Sequence, residues 1–192
     1  MKDIKHLVER VILWNTARYS KQYNHSLAEK LLIEELHELY TAEDWVGILD
    51  SVGDIAFVAI GVMWKLGIET SDIVYLFERM QPGKTLVEYN QASDNYIDFV
   101  SDKYKFNVVR LLQLRLLCHA MFITSYTMLN SVGMVDKFFD ILKAICDSND
   151  TKAIPKQKVA ANIKANTNKG EGFIPPTQAL TTLLEEVHNG AK

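Results

Sequence analysis

Cysteine is scarce in this chain, with only Cys118 and Cys146 among 192 residues. Two thiols in apolar surroundings do not build the disulfide framework of a small secreted protein, and they read as reduced core residues of a cytoplasmic one. An excess of basic charge is missing too. Lys and Arg total 21 against 24 Asp and Glu, for a formal net charge of −3 and a pI near 6.0. That balance argues against a nucleic-acid surface spread over the protein, and a phosphate-bearing ligand would need a metal or a few placed cations. The opening stretch MKDIKHLVERVILWNTARYS carries acids among its apolar residues and lacks the continuous apolar core and small-residue cleavage site of a signal peptide. Charge is absent from Leu116 to Val135, the one membrane-length candidate, but His119, Asn130, Gly133 and several hydroxyls interrupt it. A helix buried on most sides of a bundle suits that composition better than a membrane span.

Also missing is any convincing alternation of period two, so no strand is expected and the fold class reads as all-α, a helix bundle. At 48% hydrophobic the chain can build one full core and is too short to need two domains. Ile4 to Ser20 reads as a first helix. Ser26 reads as an N-cap with Glu29 completing a capping box, for a helix running to about Tyr40. Trp45 to Leu66 forms a third helix stopped by Gly67. It has no charged residue from Ile55 to Trp64, which calls for enclosure by neighbours. Ser71 to Met80 is a short fourth helix broken by Gln81-Pro82-Gly83. Lys84 to Lys105 is mixed in character, Phe106 to Ser131 is the longest apolar helical pattern, and Val135 to Cys146 is another amphipathic helix. After Asp147 the sequence turns polar, lysine-bearing and rich in Gly and Pro breaks, as in an extended tail or flap, with a short helix over Thr181 to His188. The single domain 1–192 thus divides into core helices (1–67), additional helices (68–147) and a tail (148–192).

The stretch EELHELYTAEDWVGILDSVGD places acids where a helix should be apolar. At about 100° per residue, Leu31, Leu32, Leu36 and Leu39 define one face. Glu35 falls inside that face, and Glu34 and Glu38 flank its edge. A buried, unpaired carboxylate is expensive, so something must compensate it. On the third helix Asp50 and Asp54 share a face with Phe57 and Gly61. Two helices that each present acids toward a partner can line a metal site in a bundle. Oxygen donors without nearby His or Cys suit Mg²⁺, with Mn²⁺ as the alternative. His37 faces away from the acids and reads as a surface residue.

These residues resemble a known family. EExxE at Glu34, Glu35 and Glu38, followed by DSVGD at Asp50 to Asp54, is similar to the MazG-like all-α nucleoside triphosphate pyrophosphohydrolases. Trp14-Asn15 with Arg18 resembles the first helix of phage and bacterial members. SNDTK at Ser148 to Lys152 and KGEGFIPP at Lys169 to Pro176 resemble the family's SNxxK and KGxxFxPP segments. The resemblance implies hydrolysis of a nucleoside triphosphate, a deoxynucleotide first, between the α and β phosphates. Mg²⁺ would be held by Glu35, Glu38 and Asp54, with Asp50 as a ligand or a supporting acid, because Ser51 stands where many members carry glutamate. Glu34 or Glu35 would orient or deprotonate the attacking water. Lys152 is the first choice for phosphate charge, followed by Lys30, Arg18 and Lys21. Asn149 and Asn15 would meet sugar or base, and Trp14 would stack on the base or pack in the core. The resemblance also implies a homo-oligomer, dimer or tetramer, and the charge and composition above lead us to expect neither a nucleic-acid nor a membrane partner. Two other classes compete: a non-catalytic helical protein that keeps the acids as a binding or regulatory site, and a membrane-associated protein centred on Leu116 to Val135.

Overall fold

The most apolar helix lies at the centre because its neighbours enclose it from several sides. In the computed structural model, which describes residues 4–79, 85–155, 157–158 and 171–190 and only the backbone of 123–125, this is α3 (Trp45–Lys65). It packs against α1 (Ile4–Arg18), α2 (His25–Thr41), α8 (Phe138–Asp150) and α9 (Thr177–Gly190). α3 is uncharged from Ile55 to Trp64, and Ile55, Ala59, Ile60 and Met63 are fully enclosed. The remaining elements are α4 (Thr70–Glu78), α5 (Leu86–Tyr104), α6 (Val108–His119) and α7 (Ser125–Ser131). A π-helical turn, Ala120–Thr124, joins α6 to α7, and a short 3-10 turn, Val135–Lys137, leads into α8. No strand occurs among the described residues, and the fold is all-α.

The ends of these helices are set by local chemistry. Asp44 caps α3 by accepting from the Gly47 N–H at 2.8 Å. At its other end Gly67 adopts φ +93°, and the Ile68 N–H reaches back to the Met63 carbonyl while the Gly67 N–H takes that of Trp64. That paired bonding is a Schellman stop, which needs a left-handed residue and so favours glycine. α2 begins two residues earlier than the sequence suggests. Asn24 rather than Ser26 is its cap, with its side-chain oxygen accepting from the Leu27 N–H at 2.9 Å. Asn24 is as good a cap as serine, so the Ser26–Glu29 spacing alone could not decide between them.

The mixed segment after Lys84 is a full helix, α5, opened by a capping box. The Glu88 N–H donates to the Thr85 hydroxyl, and the Thr85 N–H donates to the Glu88 carboxylate at 2.7 Å. The tail is also more helical than its composition implies. α8 runs on to Asp150, and α9 starts at Thr177 and buries Leu180 and Leu184. The Gln81-Pro82-Gly83 break and Lys169-Gly170 lie outside the described residues.

Two helical stretches, Trp45–Lys65 and Val108–Ser131, are long and apolar enough to cross a membrane by length and composition. The first is mostly buried inside the fold, as a core helix would be. Cys118 and Cys146 are both buried and unbridged.

Candidate active site

The site is built along one face of α3. Positions three or four apart on a helix fall on the same side, so Asp50, Asp54, Val58, Gly61 and Lys65 form a line down a cavity of about 340 Å³. α2 supplies Glu35 and Glu38 from the facing wall, and α1 supplies Trp14 and Asn15. The end of α8 brings Ser148 and Asn149, with Lys152 just beyond it, and Phe173 and Pro176 before α9 close another side. A volume of this size suits a small organic ligand.

The acidic end carries clear electrostatic stress. Asp54 keeps a partly accessible face into the cavity, yet protein surrounds it. That burial, followed by the negative charges of Glu35 and Asp50, pushes its carboxyl well above the usual carboxylate range. Lys152 opposes the rise and Glu38 adds a smaller push. The inward acid anticipated from the helical pattern is therefore present, and four carboxylates from two helices share one cavity.

Their side chains do not form a closed cage. Among the described residues no three His, Cys, Asp or Glu converge into a ready-made metal-binding group. The donor chemistry still fits a hard divalent cation that keeps several of its waters, as Mg²⁺ does. Every donor is an oxygen, and a cation would offset the mutual repulsion that favours the protonated form of Asp54.

Trp14, Asn15, Asn149 and Lys152 all line the cavity, as the sequence suggests. Trp14 is half-buried, its indole N–H donates to the Asn149 carbonyl at 2.8 Å, and its ring meets Phe57 edge-on at 5.2 Å. It both packs against Phe57 and borders the cavity. Asn15 is buried, and its amide nitrogen donates to the Val11 carbonyl at 2.9 Å. The same amide fills the space beside Gly61, where an added Cβ would stand 2.8 Å from Asn15 Nδ2. Glycine at 61 thus lets α1 and α3 approach closely, and Gly53 does the same for α8, where a Cβ would meet Ile145 at 2.4 Å.

Four candidates do not line the cavity. Arg18 is 3% exposed. Its guanidinium donates to the Lys152 backbone carbonyl at 2.6 Å and covers the Trp14 ring at 4.1 Å, so it positions the wall instead of facing phosphate. Glu34 and Lys30 form an ion pair at 3.9 Å on the outer flank of α2, and the Lys30 side chain is 67% exposed. Their place follows from the wheel, on which Glu34 lies farthest from the apolar face. Lys21 is exposed, with its ammonium 5.7 Å from the Trp64 ring centroid.

The comparisons find no relative. No family model, curated protein or solved structure matches the chain.

Lys65 and Tyr19 line the cavity without having been anticipated. Lys65 sits at the last turn of α3, where a lysine ordinarily snorkels to solvent and favours the helix dipole. Here it is half-buried with its ammonium 3.8 Å from the Tyr19 ring centroid, and burial lowers its pKa to about 8. The signal in the sequence was its register, since Lys65 repeats the Asp54, Val58 and Gly61 face.

Proposed function

We propose that the protein is a Mg²⁺-dependent nucleotide pyrophosphohydrolase that splits a nucleoside triphosphate, a deoxynucleotide first, into monophosphate and pyrophosphate. The observation that carries this reading is the enclosed Asp54 carboxylate, crowded by Glu35, Asp50 and Glu38 in a cavity that also holds Lys152 and Asn149. The EExxE and DSVGD motifs, and their resemblance to the MazG-like enzymes, support the same assignment.

Glu35, Glu38, Asp50 and Asp54 would hold the cation. When bound it would polarise a phosphate oxygen and neutralise charge on the leaving group. The remaining chemistry falls to side chains already in place. A carboxylate oxygen of Glu35 accepts the proton of the attacking water. The water oxygen forms a new bond to the α phosphorus, and the bond from that phosphorus to the bridging oxygen breaks, releasing pyrophosphate. The Lys152 ammonium takes up part of the leaving charge. Trp14 and Phe57 offer an aromatic border for the base, and Asn149 and Asn15 offer amides for sugar and base. Glu34, paired with Lys30 outside the cavity, is replaced by Glu35 as the proton acceptor. Family analogy favours a dimer or tetramer in the cytoplasm.

One second reading is nucleotide binding without turnover, by a helical protein that keeps the acids as a binding or regulatory site. A panel of canonical and modified nucleoside triphosphates with Mg²⁺, assayed for pyrophosphate and monophosphate together, separates the two. Equimolar products that vanish in Glu38→Ala and on chelation support hydrolysis. Saturable binding without products supports the regulatory reading, and release of single orthophosphate moves the reaction to a different bond.

A further inference from the structure

The acidic centre uses one end of the cavity, and Lys65 stands at the other. From Asp54 to Lys65 is eleven residues of α3, or about 16 Å along the axis at about 1.5 Å per residue. Both side chains tilt toward the start of the helix, so the longer lysine recovers part of that span without closing it. A triphosphate alone is too short to bridge such a distance, whereas phosphate, sugar and base in sequence fill it.

The middle of the cavity is bordered by the Phe57 ring and by Val58, against which a base can lie. Gly61 borders it too, and the Asn15 amide fills the space its side chain would take. The amide is itself fixed by its bond to the Val11 carbonyl. Beyond Gly61 the Lys65 ammonium pairs with no carboxylate among the described residues and rests on the Tyr19 ring. An ammonium carries only donors, so a partly desolvated one needs an acceptor from the ligand.

We propose that Lys65 reads the far edge of the base, selecting nucleotides that present a keto oxygen there over those that present an exocyclic amine. This rests on the reading of the acidic end as the phosphate site. With a pKa of about 8, Lys65 is still mostly protonated at neutral pH. The carbonyl of a uracil, thymine or guanine edge accepts its N–H. The amino group of cytosine or adenine sets donor against donor and leaves the half-buried ammonium without that partner, which is how a polar site discriminates.

The test compares wild type with Lys65→Met and Lys65→Arg, measuring pyrophosphate release with Mg²⁺ from dUTP, dTTP, dGTP, dCTP and dATP. Wild type is expected to favour the three keto substrates. Lys65→Met should lose about tenfold or more in kcat/KM on those, mainly through KM, and less than about twofold on dCTP and dATP. Lys65→Arg should retain the preference, which separates base reading from a folding defect. A uniform loss across all five substrates in Lys65→Met, or a wild-type preference for dCTP and dATP, overturns the proposal while leaving the hydrolase reading intact. No pyrophosphate from any substrate with wild type removes the hydrolase reading and the base-reading role with it.

Discussion

The Arg18 guanidinium holds the Lys152 backbone carbonyl at 2.6 Å, so the first helix anchors a lysine that lines the cavity. Arg10 reinforces the same junction one helical face away, bonding Asp147 at 2.9 Å and Asp150 at 2.6 Å. Arg18→Met is expected to destabilise the protein by about 1.5–3 kcal/mol, as losing a charge-assisted hydrogen bond does. It should also raise KM more than it lowers kcat. Urea unfolding beside steady-state kinetics checks both. A kinetic loss at unchanged stability would instead place Arg18 in contact with phosphate.

Asp54 predicts how metal and stability are linked. Its carboxyl titrates higher in the folded chain than in the unfolded one, so above about pH 4 the folded state holds the extra proton. Stability of the metal-free protein therefore falls as pH rises from that point toward the folded value. Asp54→Asn should remove this slope and raise the metal-free Tm at pH 7 by a few degrees, at about 2–4 °C per kcal/mol for a chain of this size. Millimolar Mg²⁺ should raise the Tm of wild type and leave Asp54→Asn unchanged. Thermal melts across pH with and without Mg²⁺ measure both effects.

Lys65 predicts a slope of the opposite sign at high pH. Its folded pKa of about 8 lies below the ordinary 10.5. Between those values the unfolded chain binds more protons, and stability contributed by this group rises with pH. Only desolvation drives the shift, and the group facing the ammonium is the Tyr19 ring. Subtracting the Lys65→Met denaturation profile from that of wild type between pH 7 and 11 should reveal a rise across that window. A flat difference would mean that the ammonium is solvated.

The two thiols should be inert in the native protein. Burial pushes both Cys118 and Cys146 up to about 12, and thiolate is the reactive form. A thiol reagent at pH 8 should label neither in the native state within minutes and both after denaturation. Fast labelling of one native thiol would show that the helix around it opens.

How far the sequence revealed these features depended on how local each one is. Glu35 and Asp54 were legible as inward acids because helical periodicity alone decides which face a residue shares. Gly67 was legible as a stop because glycine suits the left-handed turn that its φ of +93° provides. α5 was missed although Thr85 and Glu88 spell a capping box, since its polar exposed side, with Asp94, Asp98 and Asp102, diluted the apolar pattern. The roles of Arg18 and Lys65 were not legible, because both depend on which distant segment arrives beside them. Arg18 needs the end of α8 to bring the Lys152 carbonyl within reach, and Lys65 needs Tyr19 to cover it. Glu34 and Glu35, adjacent in sequence, part ways as the helical wheel places them: one pairs with Lys30 on the outside and the other enters the cavity.

The most direct test of the acidic centre is to run the reaction in ¹⁸O-labelled water with Mg²⁺ and a nucleoside triphosphate, and to weigh both products by mass spectrometry. Attack at the α phosphorus puts one heavy oxygen into the monophosphate and none into pyrophosphate, and Asp54→Asn abolishes the incorporation. Label found in pyrophosphate or orthophosphate, or turnover that survives Asp54→Asn, contradicts the account.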